Sequence, residues 1–177
     1  NFGTFHAVFF KILRFAYHYE ASNILKEEER YKILREIACS RMQQEITDEK
    51  EFVEAISAEI SNVKNERFSL DSYYSSNCPD EVFREIYTEY DRWLRKENKV
   101  DFDDMQLLCY ELLMKRPDIL KQWQNKYTYV LIDEFQDINR VQYDTIRLLA
   151  APENNLFIVG DDDQSIYRFR GARPELM

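Results

Sequence analysis

The chain of 177 residues is long enough for one compact domain, or for a domain with a small subdomain. With 45% apolar residues, 12 Tyr, 12 Phe and 2 Trp but only 3 Gly and 4 Pro, the composition predicts a sizeable, mainly helical core with few tight turns. A net charge of -9 excludes a broadly basic surface for gripping duplexes, although a small aromatic or basic groove can still hold a single strand by stacking.

In chain order, the first segment is amphipathic. Phe5, Val8, Phe9, Ile12, Leu13 and Ala16 recur at helical spacing, with Thr4 as N-cap. Within residues 20–46, Tyr31, Ile33, Leu34, Ile37 and Ala38 predict a short helix. Asp48 with Glu51 resembles a capping pair for a third helix carrying Phe52, Ile56, Ile60 and Val63. Residues 64–78 are polar and rich in Ser and Asn, and read as a loop. Pro79 opens the clearest helix, whose stripe of Val82, Phe83, Ile86, Tyr87, Tyr90, Trp93 and Leu94 reads as packing. Asp101 starts another, with Met105, Leu108 and Leu112 on one face, and a shorter helix follows Pro117.

After Lys126 the texture changes. Residues 127–132 are an apolar, β-branched run that predicts a buried parallel strand. A helix over 140–150 follows, and 156–159 predicts a second buried strand. Strand, helix, strand is a βαβ unit, so the fold class is α/β: a mainly helical part, roughly 1–126, followed by an α/β part, roughly 127–177.

Both predicted strands end in acid: Asp133-Glu134-Phe135-Gln136-Asp137 after the first, and Gly160-Asp161-Asp162-Asp163-Gln164 after the second. In open α/β sheets the ligand crevice lies beyond the carboxyl ends of the strands. Carboxylates delivered there suit a hydrated Mg²⁺ acting on a phosphate. Adjacent acids permit a division of labour, one holding the cation and the next orienting and deprotonating a water. A lone strand-terminal acid can equally cap the following turn. Tyr167, Arg168, Phe169 and Arg170 then combine aromatic faces with cations, as a single-strand platform requires.

These strings resemble the UvrD/Rep helicases, PcrA among them. Residues 133–137, Asp-Glu-Phe-Gln-Asp, resemble that family's motif II, and residues 160–172 its motif III, GDxxQSIYxWRGA, with Phe169 at the Trp position. Gly3-Thr4-Phe5-His6 resembles motif Ib, GTFHS, with Ala7 at the Ser position. Asp101-Phe102-Asp103-Asp104 resembles the DFDDL stretch where the family's helical insertion rejoins the motor core, with Met105 in place of Leu. The resemblance implies a partial parallel-sheet motor core of the RecA-like, P-loop NTPase type. Residues 1–19 and 101–177 would belong to that core, and 20–100 to a helical insertion.

It also implies roles. Asp133 would hold Mg²⁺, Glu134 would be the general base, and Gln164 would sense the γ-phosphate and link hydrolysis to DNA. Asp161 and Arg170 would serve the nucleotide site. Tyr167, Phe169 and Phe102 would contact bases, and Thr4 and His6 the DNA backbone. On residue type alone, Phe102 fits a helix core and His6 an ordinary helix start. ATP, Mg²⁺ and single-stranded DNA or a single-strand/duplex junction are the expected ligands.

A phosphate cradle of the GxxxxGK[ST] kind needs a Gly-Lys pair, and Gly3, Gly160 and Gly171 supply none. The chain opens at Asn1 almost directly into a helix, and Met177 closely follows Pro174. The expectation is a piece of a longer protein whose cradle lies upstream and whose second motor domain lies downstream. The parent would couple ATP hydrolysis to 3′-to-5′ movement on single-stranded DNA, while the piece alone would be inactive. An AddA/RecB-like helicase-nuclease, a non-enzymatic docking module and a stand-alone Mg²⁺ phosphohydrolase are the alternatives. Cys39, Cys78 and Cys109 form no metal pattern, and with no signal peptide or apolar membrane span they read as reduced thiols of a cytoplasmic protein.

Overall fold

A computed structural model describes residues 3–42 and 46–160. It divides into two compact units, one built from residues 20–104 and the other from 1–19 with 105–177.

The first unit is a helical cluster. Helix α2 (Glu27–Arg41) places Glu27, Glu28 and Glu29 in its first turn and Arg41 in its last, complementing the helix dipole at both ends. Helix α3 (Glu49–Glu66) starts as its sequence predicts, Asp48 accepting the Glu51 N–H at 3.0 Å. Helix α4 (Asp80–Lys96) follows Pro79. Leu34 of α2, Val53, Ile56 and Ile60 of α3, and Phe83, Ile86 and Tyr90 of α4 form one buried cluster. Residues 64–66, expected to open a loop, instead complete α3 with buried side chains. The reason lies 37 residues further on.

Lys64 donates to Asp101 Oδ2 at 2.9 Å and reaches Asp104 Oδ1 at 2.7 Å. The Tyr90 hydroxyl also donates to Asp101, at 2.9 Å. Arg30 pairs with Asp103 at 3.0 Å, and Ser61 and Asn65 donate to the same carboxylate at 2.6 and 3.0 Å. Buried charges persist only when paired and hydrogen-bonded in this way. Burial opposes the charge on Lys64, but Asp101 and Asp104 outweigh it and hold the ammonium protonated well above its usual range. Residues 101–104 thus belong to the helical unit, although the family resemblance puts them at the start of the returning core.

In the other unit, α1 (Phe5–Tyr17) is capped by Thr4, whose side chain accepts the Ala7 N–H at 3.3 Å, and it buries Phe9, Ile12 and Leu13. Helix α5 (Phe102–Lys115) runs on from the first unit, and α6 (Pro117–Lys126) and α7 (Arg140–Ala150) complete the helices. Strands β1 (Val130–Ile132) and β2 (Leu156–Ile158) pair in parallel, Val130 opposite Leu156, with α7 between them in sequence: the expected βαβ order. Val130, Ile132 and Leu156 pack on Phe135, Ile138 and Ile146. The expectation of strands buried on both faces is corrected. Leu131 is 71% exposed and Phe157 62%, because α7 and its flanking residues cover one face of a two-stranded sheet and side chains alternate between faces. The strands are also shorter than the apolar runs that announced them.

No helix among the described residues is long and apolar enough to cross a membrane.

Candidate functional site

The acidic string leaves β1 directly. Val159 donates to Ile132 O at 2.8 Å and Phe135 donates to Val159 O at 2.9 Å, so the backbone on both sides of Asp133-Glu134 is pinned to the end of β2. Phe135 is the anchor: it is buried and meets Tyr143 of α7 edge-on at 6.2 Å between ring centroids. Between these fixed points Glu134 adopts the left-handed conformation, φ 52° and ψ 46°. That region costs a non-glycine residue about 1–2 kcal/mol, which the pinned ends impose. Residues 135–137 then form a single 3-10 turn, closed by Asp137 N–H to Glu134 O at 3.0 Å.

Side chains are fixed in the same way. Asp133 Oδ1 accepts the Glu134 N–H at 3.0 Å. The buried Gln136 amide donates to Glu134 Oε2 at 2.6 Å, leaving Oε1 to another partner. Burial, and after it the charge of Glu134, pushes the Asp137 carboxyl above its usual range. Asp137 Oδ1 is a buried acceptor with no hydrogen-bond partner among the described residues.

Asp133, Glu134 and Asp137 line a cavity of about 770 Å³, within the size range of small-molecule and cofactor sites. Thr4, His6 and Gln142 line it too. Sequence alone separates Thr4 and His6, as strand-backbone contacts, from the acids, as chemistry; the fold puts them on one cavity. Phe102 sits half-buried at the start of α5, in the helical unit. Asp161, Gln164, Tyr167, Phe169 and Arg170 lie outside the described residues.

The donor set fits Mg²⁺, which takes hard oxygens, commonly one or two carboxylates completed by water and phosphate. No group of three or more His, Cys, Asp or Glu residues that could hold a metal occurs among the described residues. The unpartnered Asp137 oxygen is an acceptor that a hydrated cation or a water would satisfy.

Three further residues escape a motif-based reading. Asn139 caps α7 by accepting the Gln142 N–H at 2.9 Å, and the Gln142 side chain returns the bond to Asn139 N–H at 3.1 Å. The N-x-x-Q pattern is the signal for this box. Gln106, a polar residue of α5, is buried against Asn139.

Comparison with known proteins identifies the family of the chain. The profile of the UvrD/REP helicase N-terminal domain matches residues 1–177. The chain is 42% identical, over 99% of its length, to YjcD of Bacillus subtilis (strain 168), covering 23% of that protein. It is 41% identical, over 73% of its length, to the ATP-dependent DNA helicase Rep of Escherichia coli (strain K12), covering 20% of it. It is 34% identical, over 98% of its length, to DNA helicase II of the same organism, covering 24% of it. The chain therefore spans about a quarter or less of the length of these relatives, and it belongs to the UvrD/REP helicase N-terminal domain family.

Proposed function

We propose that this chain is part of an ATP-dependent DNA helicase that moves 3′ to 5′ on single-stranded DNA, and that it supplies the water-activating acids of the first, RecA-like motor domain. The observation that carries this reading is Glu134, held in a strained backbone conformation with one carboxylate oxygen bonded by Gln136, on the cavity that Asp133 also lines. In this reading Asp133 holds Mg²⁺, directly or through water. The bound cation would offset charge on the phosphates of ATP. Glu134 orients a water with its remaining oxygen and accepts the proton as that water attacks the γ-phosphate. Phosphoryl transfer depends chiefly on positioning, and the pinned ends and the Gln136 bond supply it.

The remaining roles follow the family. Thr4 and His6 contact the DNA backbone and Phe102 a base. Gln164 senses the γ-phosphate, with Asp161 and Arg170 beside the nucleotide and Tyr167 and Phe169 along the strand. Other parts of the longer protein provide the phosphate cradle and a second motor domain. The 177-residue chain alone therefore neither hydrolyses ATP nor unwinds DNA, and the whole protein works in the cytoplasm. The test is ATP hydrolysis by the full-length gene product with and without single-stranded DNA, and unwinding of duplexes with 3′ or 5′ tails. DNA-stimulated hydrolysis with preference for 3′ tails supports the reading; hydrolysis indifferent to DNA refutes it.

A further inference from the structure

A hydrogen-bond chain crosses the second unit from one wall of the cavity to the other. Gln106 Oε1 accepts from Asn139 Nδ2 at 2.9 Å, and Gln106 Nε2 meets His6 Nε2 at 3.3 Å. Its two ends, His6 and Gln142, line the cavity, while Gln106 and Asn139 are buried.

The direction of every bond follows from one backbone group. The Gln142 N–H can only donate, so the Asn139 atom facing it is the carbonyl oxygen. Asn139 must then present its NH₂ to Gln106, which fixes the Gln106 oxygen toward Asn139 and its NH₂ toward His6. His6 Nε2 has to accept. Its ring proton therefore sits on Nδ1. The other end of the chain is tied to the acids. Asn139 follows the 3-10 turn of residues 135–137, in which Ile138 N–H donates to Phe135 O at 3.3 Å and Asp137 N–H to Glu134 O at 3.0 Å.

We propose that Gln106 is a positioning residue: through His6 on one side and Asn139 on the other, it joins a DNA-phosphate contact at His6 to the turn that carries Glu134. This rests on the helicase reading for its consequence, but the hydrogen-bond polarity does not depend on it. A glutamine serving only to fill space would be replaceable by methionine, which has similar length and shape. Gln106 instead uses both ends of its amide.

Two arms test it. The chain has two histidines, His6 and His18, so ¹⁵N-histidine spectra assign readily. His6 should be the Nδ1–H tautomer in the unaltered chain. In Gln106→Glu, where the new carboxylate accepts only, His6 should carry a proton on Nε2. An Nε2–H tautomer in the unaltered chain overturns the relay. In the full-length protein, Gln106→Met should lower DNA-stimulated turnover roughly tenfold, the scale of a small misplacement of a catalytic group. Hydrolysis without DNA should stay within about twofold, since the acids and their own bonds are untouched. Gln106→Glu, which keeps the polar link to Asn139, should separate the two activities in the same sense. Equal loss of both activities, or stimulation unchanged in both variants, overturns the positioning role. Absence of DNA stimulation in the unaltered protein would instead defeat the functional reading, leaving the His6 tautomer to be judged on its spectrum.

Discussion

Gln136 donates its buried side-chain amide to Glu134 Oε2 over 2.6 Å. A glutamate exposed at the mouth of a cavity would otherwise sample several rotamers, and only some would aim an oxygen at a water. Gln136→Leu keeps the volume but removes the donor. In the full-length protein the account expects turnover to fall about 10- to 100-fold, a large part of what a positioned base contributes. If Gln136 acts by holding Glu134, the Michaelis constant for ATP should change by less than about threefold. Steady-state hydrolysis assays separate the two effects.

The Lys64–Asp101 pair makes a prediction about stability. Lys64→Met leaves Asp101 and Asp104 buried without their cation, a loss of about 3–5 kcal/mol at neutral pH. Burial works to raise the Asp101 carboxyl, but Lys64 and Arg30 outweigh it and hold it at about 2. Its folded value lies below the unfolded one of about 3.9, so its contribution is present above about pH 4 and is lost as pH falls toward about 2. Asp104 shares the same cation without Arg30's closeness; burial and the charge of Asp101 push it up to about 6, so ionising it costs stability as pH rises to that value. Without Lys64 both carboxyls favour the protonated form in the fold. The penalty of Lys64→Met should therefore shrink steadily from pH 7 to pH 4, as read by urea unfolding of the two proteins. A pH-independent penalty would contradict the ion-pair account.

Phe102 lies between two anchored acids, Asp101 and Asp103, which fix its backbone through Lys64 and Arg30. If it stacks on a base, Phe102→Leu should weaken single-strand binding by the full-length protein by about 1–3 kcal/mol, roughly 5- to 150-fold. Leucine preserves bulk, so the melting temperature should move little. Fluorescence anisotropy with a labelled oligonucleotide reads the affinity. Unchanged affinity would return Phe102 to a packing role.

How much of this was legible in the sequence depends on distance along the chain. Thr4 and Asp48 announce their helices because a cap and its N–H partner lie three residues apart. The order strand, helix, strand was legible from texture. The exposure of Leu131 and Phe157 was not, since an apolar run does not say how many faces are covered. Lys64 read as the start of a loop because its partners lie 37 and 40 residues away in sequence. The acids at 133–137 were legible as a motif. That Thr4 and His6 share their cavity was not, because helix α1 reaches it from more than 100 residues away.

The central claim is that Glu134 activates the attacking water, and Glu134→Gln in the full-length protein tests it most directly. The amide keeps the shape of the side chain but cannot take a proton. Hydrolysis with saturating single-stranded DNA and ATP should fall by at least about 100-fold, while nucleotide affinity measured by equilibrium titration stays within about threefold. Turnover retained at near the original rate would contradict the account, since no proton acceptor would then be needed at that position.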